Sequence, residues 1–184
     1  MKELKEYPYL VWLDLEMTGL DPDSERIIEI ATIITSSDLN EVIEGPNLVI
    51  HQSEEYLNNM DEWNTSHHGS SGLIEAVKVS SITEEDAEDQ TLNFIMKYIE
   101  RNTSPLCGNS ISHDRRFLVR YMPKLASFFH YRNVDVSSIK ELVKRWRPEL
   151  DGLVTKSTSH RALTDVYESI DELRFYKRKF FDKD

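Results

Sequence analysis

The stretch VWLDLEMTGL, residues 11–20, decides the fold that we expect for this chain. It is an apolar run typical of a buried strand, yet it carries two acids, Asp14 and Glu16. Side chains two positions apart in a strand face the same way. The two carboxylates should therefore project together from one face, near the end of the strand. For a lone Asp-x-Glu pair, two incidental acids on a solvated face remain the simpler interpretation.

Further β-branched and apolar segments surround this first strand, which we place at residues 8–17. They predict strands at 26–35, 42–51, 105–109 and 132–138. The first three strands have short links and indicate an antiparallel meander, with a bulge at Gly45-Pro46 in the third. Helices alternate with the later strands. The chain should therefore form an α/β fold with a mixed sheet, in a single domain spanning residues 1–184.

Four helices are expected downstream of the polar segment 53–75. They are predicted at 83–102, at 112–129 with an interruption at Pro123, at 139–147, and in a long final segment that starts near residue 158. Thr83 should cap the first of these helices, with Asp86 three residues on. A serine should cap the third helix, and Thr158 or Ser159 the last.

The charge is distributed unevenly along the chain. The net charge is −11, but residues 1–100 carry −17 and residues 101–184 carry +6. Affinity for a long duplex depends on many phosphate contacts, which so acidic a protein does not offer. A short phosphate-bearing ligand at the basic region, 115–147, remains compatible with this distribution.

The sequence also bears on the compartment. It has no run of about 18 apolar residues, so no membrane span is expected, and its first residues lack an apolar signal core. Cys107 is the only cysteine, which excludes an internal disulfide and a thiolate zinc cage. A reducing cytoplasm is the simplest interpretation.

Two more acids favour a metal site. Asp114, in GNSISHDRRFL, should face inward with the apolar side of its helix, although an ion pair with Arg115 or Arg116 would also explain it. Asp165 lies on the last helix, where the pattern does not fix its burial. Four carboxylates suit Mg²⁺ or Mn²⁺. Two such ions about 4 Å apart would support phosphodiester cleavage.

His160 is a candidate general base. It is five residues from Asp165, about 140° around a continuous helix, so the two share a site only if His160 lies in the preceding loop or first turn. A histidine there could take a proton near neutral pH. A helix-entry histidine without a role is the plainer alternative.

Taken together, these motifs resemble the DEDD exonuclease superfamily, in its histidine subtype, and within it the oligoribonucleases. The resemblance covers about residues 8–177. It is carried by DLEMTG, RIIEIAT, EGPNLVIHQS, CGNS with DRRFL, FHYR, and HRAL with Asp165. The tyrosine subtype would place tyrosine at position 161, where this chain has Arg161.

The resemblance implies a ribonuclease-H-like fold and 3′-to-5′ hydrolysis of very short RNA, especially 5′-phosphorylated dinucleotides, to 5′-mononucleotides. It implies a homodimer and two divalent ions, Mg²⁺ or Mn²⁺. The implied metal ligands are Asp14, Glu16, Asp114 and Asp165, with His160 as general base. The implied substrate contacts are Leu20, Trp63, His68 and Ser110, with Tyr131, Arg132 and Ser137 forming a cap on the 5′ phosphate from the second subunit.

Residue chemistry agrees but leaves alternatives open. Trp63 can stack on a base but is as readily a core residue. Arg132 can bind a terminal phosphate or lie on a plain surface, and the aromatic residues Phe128, Phe129 and Tyr131 suit an interface or a core.

Three rival functions also remain open. They are a DNA-directed exonuclease of the same superfamily, a non-enzymatic scaffold with this fold, and a carboxylate hydrolase that works without metal.

Overall fold

The computed structural model describes residues 9–154 and 161–181, and these contain a five-stranded mixed sheet. The strands are β1 (Tyr9–Met17), β2 (Ile27–Ser36), β3 (Val42–Val49), β4 (Leu106–Gly108) and β5 (Asn133–Asp135). Their order is β3-β2-β1-β4-β5. The first three strands are antiparallel neighbours, while β4 runs parallel to β1 and β5 runs parallel to β4. The predicted α/β class, meander and mixed sheet are confirmed.

The predicted bulge in the third strand is also confirmed. Ala31 pairs with Asn47, but Ile33 pairs with Glu44, so β3 has one more residue than β2 over this interval. The additional residue falls at Gly45-Pro46. Proline lacks the amide proton for a ladder bond, which is why such a position suits a bulge.

Helices cover both faces of the sheet. Within the described residues they are α1 (Glu54–Asn58), α2 (Glu62–Ser70), α3 (Leu73–Val79), α4 (Glu84–Ile95), α5 (Ser112–Tyr121), α6 (Pro123–Ala126), α7 (Val136–Trp146) and α8 (Ala162–Phe180). A short 3₁₀ helix, Pro148–Leu150, follows α7.

Strand β1 separates two apolar cores because its side chains alternate. Val11, Leu13 and Leu15 pack into the core on the side of α4, α5 and α6. Trp12, on the other face, packs with residues of α7 and α8. The site carboxylates of β1 are in the Trp12 register and therefore project from the face that α8 covers.

The start of α4 is as predicted, but its length is not. Thr83 and Asp86 form a capping box. The helix ends at Ile95 instead of continuing to residue 102, and Met96, the next residue, is 53% exposed. Beyond Ile95 the amides of Lys97 and Tyr98 bond three residues back, which tightens the chain into turns.

Of two other helix starts, one confirms the sequence prediction and one corrects it. Pro123 restarts the chain as α6, as expected. Helix α7, however, begins three residues early at Val136 and is capped by Asp135, whose carboxylate accepts from the Ser137 amide, and not by a serine. Aspartate caps as well as serine does, and β5 delivers it directly to the helix. Thr158 and Ser159 lie outside the described residues.

Among the residues that the structure describes, no helix combines the length and apolar character that a membrane crossing requires.

Candidate active site

Three carboxylates from two elements meet at the end of β1. Asp14 and Glu16 lie on one face of β1, as predicted, and Asp165 lies in the first turn of α8. One oxygen from each lies within 4.8 Å of the others. We call Asp14, Glu16 and Asp165 the carboxylate cluster. The interpretation of Asp14 and Glu16 as incidental surface acids does not explain this convergence.

Asp114 approaches the same strand from the opposite core. The register between β4 and β1 pairs Val11 with Leu106 and Trp12 with Cys107, and Asp114 contacts β1 beyond these pairs. The Asp114 carboxylate accepts a hydrogen bond from the Leu15 amide at 2.9 Å. The inward orientation of Asp114 is confirmed, since the residue is buried.

Burial of Asp114 is compensated by that backbone amide. The Arg115 guanidinium instead reaches the Asn133 side chain and the His130 carbonyl. The expected alternative, an ion pair between Asp114 and Arg115, is therefore not what the structure contains.

Gly108 allows β4 to lie this close to β1. A Cβ at this position would be 2.9 Å from the carbonyl oxygen of Leu13, a distance that side chains essentially never adopt. The chain then turns through Ser110, which has a positive φ of 51°. This tight turn delivers Asp114 to the edge of β1.

The start of α8 is held by a residue that the sequence analysis missed. Glu29, on β2, is fully buried, and its carboxylate accepts bidentate hydrogen bonds from Arg161 and a further bond from the Ala162 amide. One signal was available, because an acid stands inside the β-branched run RIIEIATIIT. The sequence did not predict that Arg161 is the partner of Glu29.

The acids repel one another in a poorly solvated place. Burial, followed by the charges of Asp165 and Glu29, raises the pKa of Glu16 to about 8. Burial raises the pKa of Asp114 to about 7, against the lowering effect of its bond to Leu15. The pKa of Asp14 is raised well above its usual value, first by burial and then by its acidic neighbours.

This donor set fits a divalent cation. Burial, and then the charges of neighbouring acids, raise the pKa values of Asp14, Glu16 and Asp114 and make their ionised forms costly. A cation among them would remove that cost, and hard ions such as Mg²⁺ and Mn²⁺ prefer oxygen ligands. Asp14, Glu16 and Asp165 are close enough to share one ion. The carboxylate of Asp114 lies near enough to raise the pKa of Asp14.

His68 lies deeper than a typical substrate contact. It is buried on α2, where its Nε2 lies 3.0 Å from the Met17 carbonyl and its Nδ1 lies 3.9 Å from a carboxylate oxygen of Glu16. The carbonyl can only accept, so Nε2 carries a proton. His68 therefore adjoins the carboxylate cluster, whereas its role in substrate binding is untested.

Ser110 and Ser137 belong to one hydrogen-bond network. Their hydroxyl oxygens are 3.1 Å apart, and the Ser110 amide donates to both the Ser137 hydroxyl and Asp135. The Ser137 hydroxyl in turn donates to Asn109. Two residues 27 positions apart in the sequence thus form one polar surface at the ends of β4 and β5.

The other predicted substrate contacts are exposed. Leu20 is 74% exposed, Trp63 is 56% exposed and Tyr131 is 75% exposed, and Arg132 is exposed beside the Tyr131 ring. We call Leu20, Trp63, Tyr131 and Arg132 the exposed group. Trp63 is therefore not a core residue. Phe128 and Phe129, in contrast, are buried, so only Tyr131 of that aromatic set is available to a ligand.

His160 lies outside the described residues, so the predicted general base has no described geometry.

The family match defines the class of protein as an exonuclease, and the fold and the carboxylates agree with it. The exonuclease family profile matches residues 11–173. The fold is ribonuclease-H-like. The chain is similar to Escherichia coli exonuclease I in a zinc-bound complex with single-stranded DNA, with a TM-score of 0.71 and 19% identity over 95% of this chain and 41% of that one. A complex of the same enzyme with a 5cy-dT13 oligonucleotide gives a TM-score of 0.69 at 18% identity, again over 95% of this chain and 41% of that one.

Sequence comparison identifies the family to which the chain belongs within this class. The chain is 57% identical to the oligoribonuclease of Thiobacillus denitrificans over 94% of both chains. It is 60% identical to that of Marinobacter nauticus, over 94% of this chain and 96% of the relative. It is 58% identical to that of Acinetobacter baylyi, over 95% of both. The chain belongs to the oligoribonuclease family.

Proposed function

We propose that this protein is a metal-dependent 3′-to-5′ exoribonuclease that hydrolyses RNA of two to five residues, and best 5′-phosphorylated dinucleotides, to 5′-mononucleotides. The carboxylate cluster carries this proposal, because three acids within 4.8 Å of one another are present in a member of the oligoribonuclease family. We assign the activity to a single exonuclease domain, residues 1–184, acting in the cytoplasm.

Asp14, Glu16, Asp114 and Asp165 would hold two divalent ions, Mg²⁺ or Mn²⁺. Such ions supply Lewis-acid activation of water and stabilise charge at the phosphoryl group. The raised pKa values of Asp14, Glu16 and Asp114 support this assignment, since the acids are costly to ionise together without a cation. The Leu15 amide fixes one oxygen of Asp114.

His160 is the proposed general base. It directly precedes Arg161 in the sequence, and Arg161 is anchored to Glu29. A histidine next to an anchored residue can accept a proton from the attacking water at neutral pH.

The exposed group would bind the nucleotides. Leu20 and Trp63 would hold the bases, since every base offers a face for stacking. Arg132 would bind the 5′ phosphate with charge-assisted hydrogen bonds, alongside Tyr131. Ser110 and Ser137, which hydrogen-bond to each other, would face the same phosphate, and His68 would contact the substrate near Glu16.

We further propose that the active form is a homodimer, with Tyr131 and Arg132 of one subunit reaching the site of the other. Both side chains are exposed, so they are accessible to a second chain. Helix α7 and the end of α8 also expose the apolar side chains Leu142, Trp146 and Phe181. Exposed apolar surface of this kind is typical of interaction sites.

A time course on labelled pGpG and a labelled seven-residue RNA, with Mn²⁺ or with EDTA, tests the proposal. Rapid Mn²⁺-dependent conversion of pGpG to mononucleotide, with the longer RNA lagging, is expected. Dinucleotide left over after fast attack on the longer RNA would contradict the proposed substrate.

The same assay separates the rival functions. Faster attack on a single-stranded DNA of seven residues would favour a DNA exonuclease. Hydrolysis that survives EDTA would favour a carboxylate mechanism without metal, and no hydrolysis of any substrate would favour a binding scaffold.

A further inference from the structure

Glu29 is a buried acid near the start of β2. It lies on β2, directly opposite Glu16 in the β1–β2 register, and is fully buried. A buried carboxylate is retained only when it is paired and hydrogen-bonded. Its partner is Arg161, whose Nε lies 3.1 and 3.0 Å from the two oxygens and whose Nη2 lies 2.7 Å from Oε1.

The same carboxylate caps α8. Arg161 occupies the N-cap position, and its side chain makes no capping bond. Instead, Oε2 of Glu29 accepts a bond from the Ala162 amide at 3.1 Å. A negative charge at a helix N-terminus also complements the helix dipole. Glu29 thus joins β2 to the first turn of α8 through both the side chain of Arg161 and the backbone.

That first turn contains Asp165. The Asp165 amide donates to the Arg161 carbonyl at 3.1 Å, so the position of Arg161 sets the start of the helix that carries Asp165. Asp14 and Glu16 are fixed differently, by the ladder between β1 and β2. Apolar packing holds α8 on this face of the sheet, and the Glu29–Arg161 pair adds a directional link directly beside the cluster.

We propose that Glu29 and Arg161 are positioning residues that hold Asp165 against Asp14 and Glu16, and so set the affinity of the site for a divalent cation. The inference rests on the proposed function only in assigning that cation to the carboxylate cluster. Side chains that orient metal ligands typically change metal affinity or activity by 10–100-fold when they are replaced.

A matched control exists on the other side of the sheet. Glu88 is also buried; it accepts a bond from the Leu125 amide at 3.0 Å in the first turn of α6, and Lys124 lies 3.9 Å away. It has the same chemistry as Glu29, a buried carboxylate that holds a helix start beside a cation. Helix α6 carries no proposed site residue, so Glu88→Gln reports the cost of losing such a link without the effect on the site.

Arg161 separates positioning from simple electrostatics. If its charge alone acted on the site, Arg161→Gln would remove a cation near the cluster and tighten Mn²⁺ binding. If it positions α8, the same change would loosen Asp165 and weaken Mn²⁺ binding. The two explanations predict opposite signs. Arg161→Lys keeps the charge but cannot form the bidentate pair, so it should fall between wild type and Arg161→Gln.

The experiment measures Mn²⁺ affinity by titration calorimetry, kcat and KM on pGpG, and thermal unfolding for wild type, Glu29→Gln, Arg161→Gln, Arg161→Lys and Glu88→Gln. Glu29→Gln and Arg161→Gln should bind Mn²⁺ roughly 10–100-fold more weakly and lower kcat more than they raise KM. Glu88→Gln should lower the melting temperature with Mn²⁺ affinity unchanged. Hydrogen exchange should show faster exchange at the start of α8 only in the Glu29 and Arg161 variants.

The outcomes distinguish this inference from the proposed function. Unchanged or tighter Mn²⁺ binding in Arg161→Gln, with wild type active on pGpG, overturns the positioning role alone. Equal losses of affinity in Glu88→Gln and Glu29→Gln also overturn it, since a general loss of stability would then explain both. Weaker Mn²⁺ binding in the Arg161 variants of a protein whose wild type does not cleave pGpG supports the inference and overturns the proposed function.

Discussion

The carboxylate cluster and the exposed group differ in how folding holds them. Asp14 and Glu16 are on a strand paired with β2 along its whole length, and Asp165 is on a helix tied to Glu29 through Arg161. In the exposed group, Leu20 and Trp63 project from the surface, with most of Leu20 and about half of Trp63 in contact with solvent. The cluster is organised before a ligand binds, whereas the side chains of the exposed group would become buried only in contact with a ligand.

This difference suggests that the carboxylate cluster and the exposed group affect different kinetic constants. Groups fixed before binding stabilise charge without reorganisation during the reaction, which affects kcat. Exposed side chains that become buried on the ligand contribute binding energy, which affects KM when it is equal in ground and transition states. The predictions below test whether the two groups separate in this way.

The largest effect is expected from Asp114→Asn, which removes a charge at the cluster. Activity on pGpG should fall at least about a thousandfold, because metal-assisted stabilisation of the transition state amounts to several kcal/mol. The fold should persist, since an asparagine oxygen can still accept the bond from the Leu15 amide. Kinetics and thermal unfolding check both parts. Ser112→Ala, an exposed change on the same helix, is the control, and an unfolded Asp114→Asn protein would indicate a structural role.

Arg132→Ala should have the next largest effect, on binding. Hydrogen bonds to charged groups contribute about 1.5–3 kcal/mol, which corresponds to roughly a 10–100-fold loss of affinity. The loss should appear for pGpG and be small for GpG, which lacks the 5′ phosphate. Binding isotherms for both dinucleotides test this, with the exposed Arg145→Ala as control. Equal losses on both dinucleotides would remove Arg132 from phosphate recognition.

Trp63→Ala should raise KM for pGpG about tenfold with little change in kcat. Stacking of a base on an aromatic side chain contributes about 1–3 kcal/mol, and part of that energy should remain with Leu20. Trp63→Phe keeps a ring and should recover most of the affinity. Steady-state kinetics decide the matter: a drop in kcat equal to the rise in KM would show that the exposed group is not confined to binding.

The smallest effect is expected on the stability of the metal-free protein. The pKa of Glu16 is raised by burial to about 8 in the fold and is about 4.3 in the unfolded chain. The folded protein therefore binds this proton more tightly, so stability is lost as pH rises from about 4.3 and the loss is complete above about 8. Glu16→Gln has no such loss.

Melting temperatures of the metal-free Glu16→Gln and wild-type proteins should therefore be similar near pH 4.5 and diverge with rising pH. The variant should be the more stable of the two at pH 9, where the wild-type protein must ionise Glu16 in its buried site. Mn²⁺ should stabilise only the wild type appreciably. A variant that is less stable than wild type at pH 9 without metal would contradict the raised pKa.

Much of this organisation was predictable from local patterns. The alternation of side chains in β1 predicted that Asp14 and Glu16 share one face. The missing amide proton of Pro46 predicted the bulge in β3, and Thr83 predicted the start of α4. Each of these depends on neighbouring residues and on backbone geometry, which a sequence displays directly. The predictions for the length of α4 and the cap of α7 were wrong. The turns after Ile95 end α4, and Asp135 at the end of β5 takes the cap position of α7.

What the sequence by itself determined is the strand face that carries two acids and the succession along the chain of five strands and of the helices from α4 onward. It also named four carboxylates and a histidine as candidates. Only the tertiary structure decided which of them meet: Asp165 joins Asp14 and Glu16, Asp114 bonds to the Leu15 amide, and Glu29 pairs with Arg161 across 132 positions. The physical reason is the distance along the chain over which each kind of interaction acts. Periodicity and capping act over a few residues, whereas contacts between a helix and a sheet depend on how separate elements pack.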